Sequence, residues 1–436
     1  MFNKIKTATV IALFFWGYIS KAQETNPLTI DDAVSLALEN HPQLALSQKK
    51  IEIAKQNTTI GKLQKLPSIS ASTSQFYLGN SVVLDKDLGH VTTVHLPHYG
   101  SSYGVQASQL IFKGGAINKS LEIAALQEQL SQLDLEKDQQ DVKFLVTSNY
   151  LDIYKIINQR EVYLNNKVLA EQRLNNVKKF YQQGMITRNE VIRGELAIMN
   201  IAQGILVLDN NRKILNYNLN NALGLTSNIQ ILPTENIQQE HALHDLNYFL
   251  EMAQKNSPRQ RYFERTIEIA EKNIEVINSD KMPTVAAFGG YTLNRPVTSA
   301  QPVADLYSGG FQVGVSVNYN IDNLYKTKER LALGRLQKEQ AQETYNVVLQ
   351  NLKMEVNAAF TKHQNAAENM ALVREAKILA EENYKITEAK YLNQLAVQAE
   401  MTDAQNQKIQ AELDLVNAQI DQLYQYYNLL KVTGTL

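Results

Sequence analysis

The chain has 436 residues, no cysteine and almost balanced charge, with 43 Lys and Arg against 44 Asp and Glu. Without cysteine it has no disulfide framework, no thiolate metal site and no acceptor for a lipoprotein anchor. The formal net charge of −1 gives no electrostatic basis for binding nucleic acid.

The first 22 residues have the pattern of a signal peptide. Lys4 and Lys6 precede an apolar stretch from Ala8 to Ile19, and Ser20-Lys21-Ala22 is a suitable cleavage site. The apolar stretch is short for a bilayer crossing, although an uncleaved inner-membrane anchor is the alternative. We therefore predict an exported protein whose mature chain starts at Gln23.

The rest of the chain repeats itself. The Asn-x-Pro motif at Asn40 recurs 216 positions later at Asn256, and Gly224 recurs 210 positions later at Gly434. Two copies of one pattern predict two structural repeats that occupy equivalent places in an assembly. The predicted organisation is a first repeat over residues 23–224, a linker over 225–239 and a second repeat over 240–436.

Long helices are predicted in both repeats, because no proline occurs in residues 98–232 or 303–436. Apolar residues there follow a helical period, which tightens into coiled-coil heptads at Leu413, Val416 and Ile420. At about 1.5 Å per residue, the longer helix of each repeat would extend roughly 100 Å. The Asn and Gln on the other faces suit either a solvent-facing rod or a water-lined tube. The predicted helices are Ala116–Gln183, Thr187–Leu223, Asn323–Asn393 and Val397–Val432.

Four segments between the helices have the two-residue period of strands. The clearest is Phe311–Ile321, where apolar residues alternate with polar residues or Gly. About ten residues of such alternation suit a strand that crosses a bilayer, although a soluble sheet gives the same pattern. The predicted strands are Pro67–Leu78, Tyr99–Phe112, Pro283–Leu293 and Gly309–Ile321, joined in pairs by polar loops over 79–98 and 294–308.

Aromatic residues near the strand ends favour the membrane interpretation. They are Phe76, Tyr77, Tyr99, Tyr103, Tyr291, Tyr307 and Phe311. Four strands cannot stand alone in lipid, because open sheet edges are not tolerated there. Two chains would supply eight strands and three chains twelve, and both numbers occur in closed barrels. The repeat offset decreases from 216 to 210 positions between Pro67 and Gly104, which places six extra residues in the first hairpin.

Several motifs, in this order, resemble those of the TolC-like outer membrane efflux proteins. Leu28–Ala33 with Ala37–Pro42 is similar to the family's opening helix signature, and Phe112–Gly115 to its hairpin-to-helix turn. Tyr181–Gly184, leading to Ala222–Gly224, resembles the closing segment of each repeat.

The resemblance implies a mainly α fold with a β-barrel part. Three chains would form a twelve-stranded transmembrane β-barrel, four strands per chain, continuous with a long periplasmic α-helical barrel. The function it implies is a passive exit duct in the outer membrane of a Gram-negative bacterium, set in outer-membrane lipid. The implied partners are a periplasmic adaptor protein and an inner-membrane transporter of RND or ABC type.

The resemblance also gives roles to the two helix-helix junctions, residues 183–191 and 393–401. It implies that the duct is gated at these periplasmic tips and docks there with the adaptor. The expected constriction residues are Tyr391, Glu400 and Asp403 in the second junction and Asn189, Glu190 and Arg193 in the first. The expected adaptor-docking residues are Gly184, Met185, Ile186, Thr187, Gln394, Leu395, Ala396 and Val397.

The constriction departs from the family pattern in its charges. Ala396 stands where the family has an Arg that helps to lock the closed state, and Glu400 replaces an Asp. Arg193 is therefore a candidate to pair with Glu400 or Asp403 of a neighbouring helix. A ring of these carboxylates around an axis would favour cations.

The remaining clusters do not predict an enzyme. His90, His95 and His98 lie in one loop and could bind a metal, but exposure of the loop explains them better, as a polar patch explains His241 and His244. No nucleophile triad, paired-carboxylate site or phosphate loop is present, so we expect no catalytic, cofactor or metal site. The alternative function is a periplasmic coiled-coil scaffold or adaptor without a pore. The transported substrate cannot be read from the sequence.

Overall fold

A computed structural model describes residues 25–226, 229–234, 244–300 and 302–436. The predicted signal peptide, His241 and part of the predicted linker lie outside these ranges. The chain forms two compact units. Among the described residues, the first unit comprises 25–41, 143–226, 229–234 and 365–424, and the second comprises 42–142, 244–300, 302–364 and 425–436.

Long helices dominate the described part of the chain, as predicted. The longest are α3 with 67 residues and α7 with 70. The helices are α1 (Ile30–Asn40), α2 (Pro42–Leu63), α3 (Ala116–Gln182), α4 (Arg188–Leu223), α5 (Leu246–Asn256), α6 (Pro258–Ser279), α7 (Asn323–Leu392) and α8 (Gln398–Thr433). The strands are β1 (Thr25–Leu28), β2 (Ser68–Tyr77), β3 (Ser81–Leu84), β4 (His90–Val94), β5 (Tyr99–Lys113), β6 (Gln230–Pro233), β7 (Thr284–Arg295) and β8 (Ser308–Asn318).

Both halves of the chain contain the same helices at the offsets seen in the sequence. The bounds of α1 and α2 recur in α5 and α6 216 positions later, and those of α4 recur in α8 210 positions later. In each half the last helix ends against the first helix. Gly224 and Gly434, with φ of +70° and +73°, lie so close to Asn40 and Asn256 that a Cβ would come within 2.7 and 2.8 Å of them. The repeated Asn and Gly are thus two sides of one contact.

In the first unit, a small parallel sheet joins the first described residues to the segment between the repeats. β1 pairs with β6 along four residues each. The buried Tyr150 hydroxyl donates to the carbonyl of Leu28 at 2.8 Å and accepts from the N–H of Thr234 at 3.1 Å. The Asn216 side-chain amide binds the start of β6, donating to Ile229 O at 2.6 Å and accepting from Ile231 N at 2.7 Å. Neither β1 nor β6 was predicted from the sequence, because four residues are too few to show a two-residue period.

The second unit contains an antiparallel sheet of four strands in the order β2-β5-β7-β8. These are the four predicted strands, each placed within a few residues of its predicted bounds. Among the described strands the sheet is open, so β2 and β8 each have one unpaired edge. The unit also has an apolar core in which Phe249 packs on Phe360 with ring centroids 5.9 Å apart.

The register of this sheet separates its side chains into two faces. One row across all four strands consists of Ala71, Val105, Tyr291 and Phe311. The adjacent row, whose side chains point to the opposite face, consists of Ser72, Gly104, Thr292 and Gly310. In these two rows one face is mainly apolar, and the other carries small or polar residues.

The loop over residues 79–98 was predicted to be a polar connection, and its structure differs. Residues 79–98 contain a two-stranded hairpin, β3 and β4, whose turn is held by Asp85. The Asp85 carboxylate accepts from the N–H groups of Asp87 at 2.9 Å and Gly89 at 2.7 Å. The hairpin exposes apolar side chains, namely Val82, Val83, Leu84, Leu88 and Val91. This hairpin lies between Pro67 and Gly104, where the first repeat has six more residues than the second.

Candidate gate and docking surface

The two helix-helix junctions of the first unit have the same backbone. α3 ends at Gln182 and α4 begins at Arg188, while α7 ends at Leu392 and α8 begins at Gln398. Each junction therefore has five residues between its helices. The predicted helix breaks fall here, whereas the predicted junctions, residues 183–191 and 393–401, extend four residues into α4 and α8.

A left-handed residue ends the first helix of each junction. These residues are Gly184, with φ of 72°, and its repeat counterpart Gln394, with φ of 62°. The next N–H donates back across the helix end, from Met185 to Phe180 O at 3.0 Å and from Leu395 in the same way at 2.8 Å. This is the Schellman arrangement, in which glycine is the favoured left-handed residue.

The junctions pack against each other through a buried apolar cluster, which we call the tip core. Its fully buried members are Val177, Val191, Tyr384, Tyr391 and Met401, and Leu174, Ile186 and Ala396 pack around them. These residues come from all four helices that meet at the junctions. The tip core therefore holds the two predicted halves of the gate together within one protomer.

Tyr391, the expected constriction residue, lies inside this core. It is only 8% exposed, whereas its repeat counterpart Tyr181 is 42% exposed. The Tyr391 hydroxyl is buried and has no hydrogen-bond partner among the described residues. Burial raises the pKa of Tyr391, and the nearby carboxylate of Glu190 raises it further.

The other expected constriction residues lie mostly at the surface. Glu400 and Asp403 are exposed, and Asp403 accepts from the side-chain amide of Gln407 at 2.8 Å. In the first junction Asn189 and Arg193 are exposed, while Glu190 is half-buried, with one carboxylate oxygen that has no described partner. Within the described protomer, Arg193 forms no ion pair with Glu400 or Asp403.

The eight expected docking residues form an exposed tip with an apolar character. Met185 is 51% exposed, its counterpart Leu395 is 77% exposed and Val397 is 61% exposed. Gly184, Thr187 and Gln394 are also exposed, whereas Ile186 and Ala396 turn partly into the tip core.

A polar seam between α3 and α8 continues from the tip core. Gln159, Asn166 and Arg173 are spaced seven residues apart on α3, so they lie along one side of the helix. Each binds a residue of the antiparallel α8, and we call each such pair a rung. The rungs are Gln159–Asn417 at 2.8 Å, Asn166–Glu412 at 2.6 Å and Arg173–Gln405. This seam was not predicted from the sequence, because polar residues at heptad spacing are also typical of a solvent-exposed helix face.

Apolar layers alternate with the rungs. Ala170 is buried against Ile409 of α8 and Ile201 of α4. Beside the middle rung, the Lys408 ammonium lies 3.4 Å from Glu412 and 5.0 Å from the centre of the Tyr384 ring. Burial raises the pKa of Tyr384 to about 12. The seam thus combines buried packing with buried charge.

Three of the described histidines, His90, His98 and His244, contact other residues of the chain. His90 bonds to Thr93 Oγ1 at 3.0 Å, and His98 bonds to Leu78 O at 2.9 Å while stacking on Tyr77. His244 stacks on Tyr248, at 4.2 Å between ring centroids. Throughout the described ranges, no group of three or more His, Cys, Asp or Glu is placed to hold a metal ion.

The family model described as outer membrane efflux protein matches residues 33–225 and 249–435, one span in each repeat. The chain belongs to this family. The resemblance drawn from the motifs is therefore confirmed. Membership places this outer membrane efflux protein in the outer membrane, with a large periplasmic part.

Individual relatives are distant in sequence and similar in fold. The outer membrane efflux protein BepC of Brucella suis biovar 1 is 20% identical over 445 residues, which cover 100% of this chain and 92% of BepC. The structure of the outer-membrane channel OprN is similar with a TM-score of 0.76 at 14% identity, covering 93% of this chain and 90% of OprN. CusC, a protein described as forming a transmembrane channel, gives a TM-score of 0.75 at 15% identity and covers 93% and 92%.

Proposed function

We propose that this efflux protein is a passive exit duct, a homotrimer whose sheets close into a twelve-stranded barrel in the outer membrane. The observation that carries the proposal is the four-stranded sheet with one apolar face and two open edges. The mature chain begins at Gln23 and consists of repeats 23–224 and 240–436 joined by the linker 225–239. The duct works with a periplasmic adaptor and an inner-membrane pump, of RND or ABC type, that supplies the energy.

The sheet supports this assembly through its exposed apolar face and its edges. Phe311 and Val313 of β8 are 82% and 80% exposed in the protomer. Such side chains suit lipid, and the small polar residues of the opposite face suit a water-filled lumen. Because lipid does not tolerate open edges, β8 of one copy must pair with β2 of the next. Three copies of four strands then make twelve.

The helices of the first unit carry a matching pair of unpartnered faces. On α4, Ile192, Met199 and Leu206 are spaced by seven residues and are 42–64% exposed. On α7, Leu372, Leu379 and Ile386 have the same spacing and are 48–70% exposed. Among the described helices, α4 alone is long and apolar enough to cross a membrane by composition. Its heptad spacing instead suits packing against another helix.

The repeat predicts how these faces meet. Inside the protomer, Ile409 of α8 packs on Ala170 of α3. The counterparts 210 positions away are Met199 on α4 and Ala380 on α7. Ala380, with Val373 and Ala376, lines an open groove of about 550 Å³ between α7 and α8. We infer that Met199 of one protomer enters this groove on the next, which repeats the internal contact around a closed ring.

Cross-linking tests this interface cleanly, because the chain has no cysteine. Met199→Cys combined with Ala380→Cys should join neighbouring protomers and give a covalent trimer on denaturing gels. The control combines Ala380→Cys with Lys213→Cys, which lies about 21 Å along α4 from Met199 at 1.5 Å per residue. Equal yields from both pairs would reject the proposed register.

The exposed tips suit docking with the adaptor. Met185 and Leu395 occupy equivalent places in the two junctions and are at least half exposed. In a trimer they would form six similar apolar points around one ring, which fits a partner that also repeats around the axis. The duct itself does not choose its substrate, which is left to the pump.

We place the gate at the same junctions, with the tip core holding the four helices together and Glu400 and Asp403 near the opening. Trimers in a planar bilayer should show discrete conductance with a preference for cations. Glu400→Gln with Asp403→Asn should weaken that preference, whereas Glu375→Gln, an exposed carboxylate of α7, should leave it unchanged. Trimers that never conduct, or a protein that stays soluble after a high-salt wash, would instead favour the scaffold.

A further inference from the structure

The three rungs of the α3–α8 seam differ in how their charge is balanced. The rung at Gln159 pairs two neutral amides. The rung at Asn166 holds both signs of charge, because Lys408 lies 3.4 Å from Glu412. The rung at Arg173, which borders the tip core, holds a cation whose direct partner is the neutral amide oxygen of Gln405.

Arg173 is deeply buried by its own protomer. Its side chain is 7% exposed, and Gln405 is 2% exposed. One guanidinium nitrogen, Nη1, has no hydrogen-bond partner among the described residues. Burial holds the pKa of Arg173 below its usual range, and the Glu388 carboxylate on α7, which forms no ion pair with Arg173 in those ranges, raises it only in part.

A buried cation that forms no direct ion pair destabilises the packing around it, because it has lost its hydration and has not regained an equivalent partner. Since the burial exists within a single protomer, a neighbouring copy has little access to Arg173. The cost therefore falls on the packed arrangement of α3 and α8 themselves. Arg173 lies four residues, or one helical turn, from Val177 in the tip core.

The repeat places no such cation at the proposed contacts between protomers. The counterparts of Arg173 and Gln405, 210 positions away, are Asn383 and Glu195. Within the protomer, Asn383 donates to Gln407 at 3.2 Å and Glu195 lies 3.1 Å from Lys178. Six equivalent seams around a trimer would thus be of two kinds, and only the three inside protomers would contain the buried cation.

We propose that Arg173 is a positioning residue for opening, which keeps the internal α3–α8 seam weaker than the seams between protomers. The tip core would then open by separation of α7 and α8 from α3 within each protomer, while the ring of protomers stays intact. This inference rests on the proposed function as a gated duct.

The direct test gives the cation an anion of nearly the same shape. Gln405→Glu should strengthen the rung, because a hydrogen bond between charged groups is stronger than one to a neutral amide by about a factor of ten in equilibrium constant. We expect the open fraction of trimers in planar bilayers to fall about tenfold and the midpoint of thermal unfolding to rise. Arg173→Met, which removes the charge, should shift both quantities in the same direction.

The matched control is Asn417→Asp at the rung of Gln159, where no cation is present and no stabilisation is expected. If wild-type trimers conduct but neither Gln405→Glu nor Arg173→Met lowers the open fraction, the role of Arg173 is wrong while the duct stands. That role is equally wrong if Asn417→Asp lowers the open fraction as strongly as Gln405→Glu. If wild-type trimers never conduct, the proposed duct fails and the role of Arg173 fails with it.

Discussion

The two helix-helix junctions share a backbone and differ in what they bury. Tyr181 of the first junction is 42% exposed, and its counterpart Tyr391 in the second is 8% exposed. The first has Gly184 at its left-handed position, where the second has Gln394. The repeat therefore determines the path of the chain at both tips, but only the tyrosine of the second junction is buried in the tip core.

The difference shows how a duplicated element acquires two roles. Both junctions use the same backbone hydrogen bonds, so either could turn the chain. The second has an apolar anchor in the tip core, and we expect its integrity to control whether the helices stay packed. Three predictions examine this contrast, and each pairs a change in one junction or its helices with a control.

The largest effect should come from the buried tyrosine. Tyr391→Ala removes a buried aromatic ring from the tip core and should lower the free energy of unfolding by about 3 kcal/mol. Tyr181→Ala, at the equivalent but exposed position, should change it by less than about 0.5 kcal/mol. Thermal unfolding and hydrogen exchange at the junctions measure both. Equal losses would show that the two tips are equally packed in the assembly.

A smaller effect should appear at alkaline pH through Tyr384 of the tip core. Its pKa is raised to about 12, above the value of about 10 expected in the unfolded chain. The neutral hydroxyl therefore contributes stability that is fully present below pH 10 and is lost between pH 10 and 12. The loss should reach about 2 kcal/mol by pH 11.5, because each pH unit between the two pKa values costs about 1.4 kcal/mol.

Unfolding midpoints measured from pH 9 to 11.5 test this prediction. The unfolding midpoint of the wild type should fall across that range more steeply than that of Tyr384→Phe, which has no hydroxyl to ionise. Parallel curves for the two proteins would contradict it, because the loss would then come from other groups.

The smallest effect concerns the left-handed position itself. Gln394→Gly should stabilise the second junction by about 1 kcal/mol, because glycine adopts positive φ without steric cost. Gly184→Ala should destabilise the first junction by a similar amount, since an added Cβ meets no atom within 4 Å and only the backbone is strained. Exchange rates of the Met185 and Leu395 amides would report the two changes, and a shift of the same sign in both would refute the argument.

Much of the fold was predictable from local patterns. The long helices followed from the positions of proline, and the four membrane-like strands followed from their two-residue period, best seen in Phe311–Ile321. The hairpin at Asp85 and the strand at Ile231 were missed. Each strand of the hairpin and of the small parallel sheet is at most five residues long, too short to show a period.

The candidate site was predictable in position and less so in detail. The junctions follow from the left-handed Gly184 and its repeat counterpart, and their docking residues are mostly exposed as expected. Arg193 was the cation that the sequence suggested for the constriction, whereas the buried cation beside the tip core is Arg173. Polar residues at heptad spacing can face either water or another helix, so the burial of Arg173 could not be predicted from the spacing.

By itself, the sequence determined the two repeats, the helices and strands, and the family of this protein, and it predicts an export signal. These features depend on composition and on contacts between residues near in the chain, which leave periodic patterns. Only the tertiary structure decided that Tyr391 is buried while Tyr181 is exposed, and that Arg173 faces Gln405. Those outcomes depend on which distant helix packs against which face, and two copies of one local pattern have identical periods whichever of them is buried.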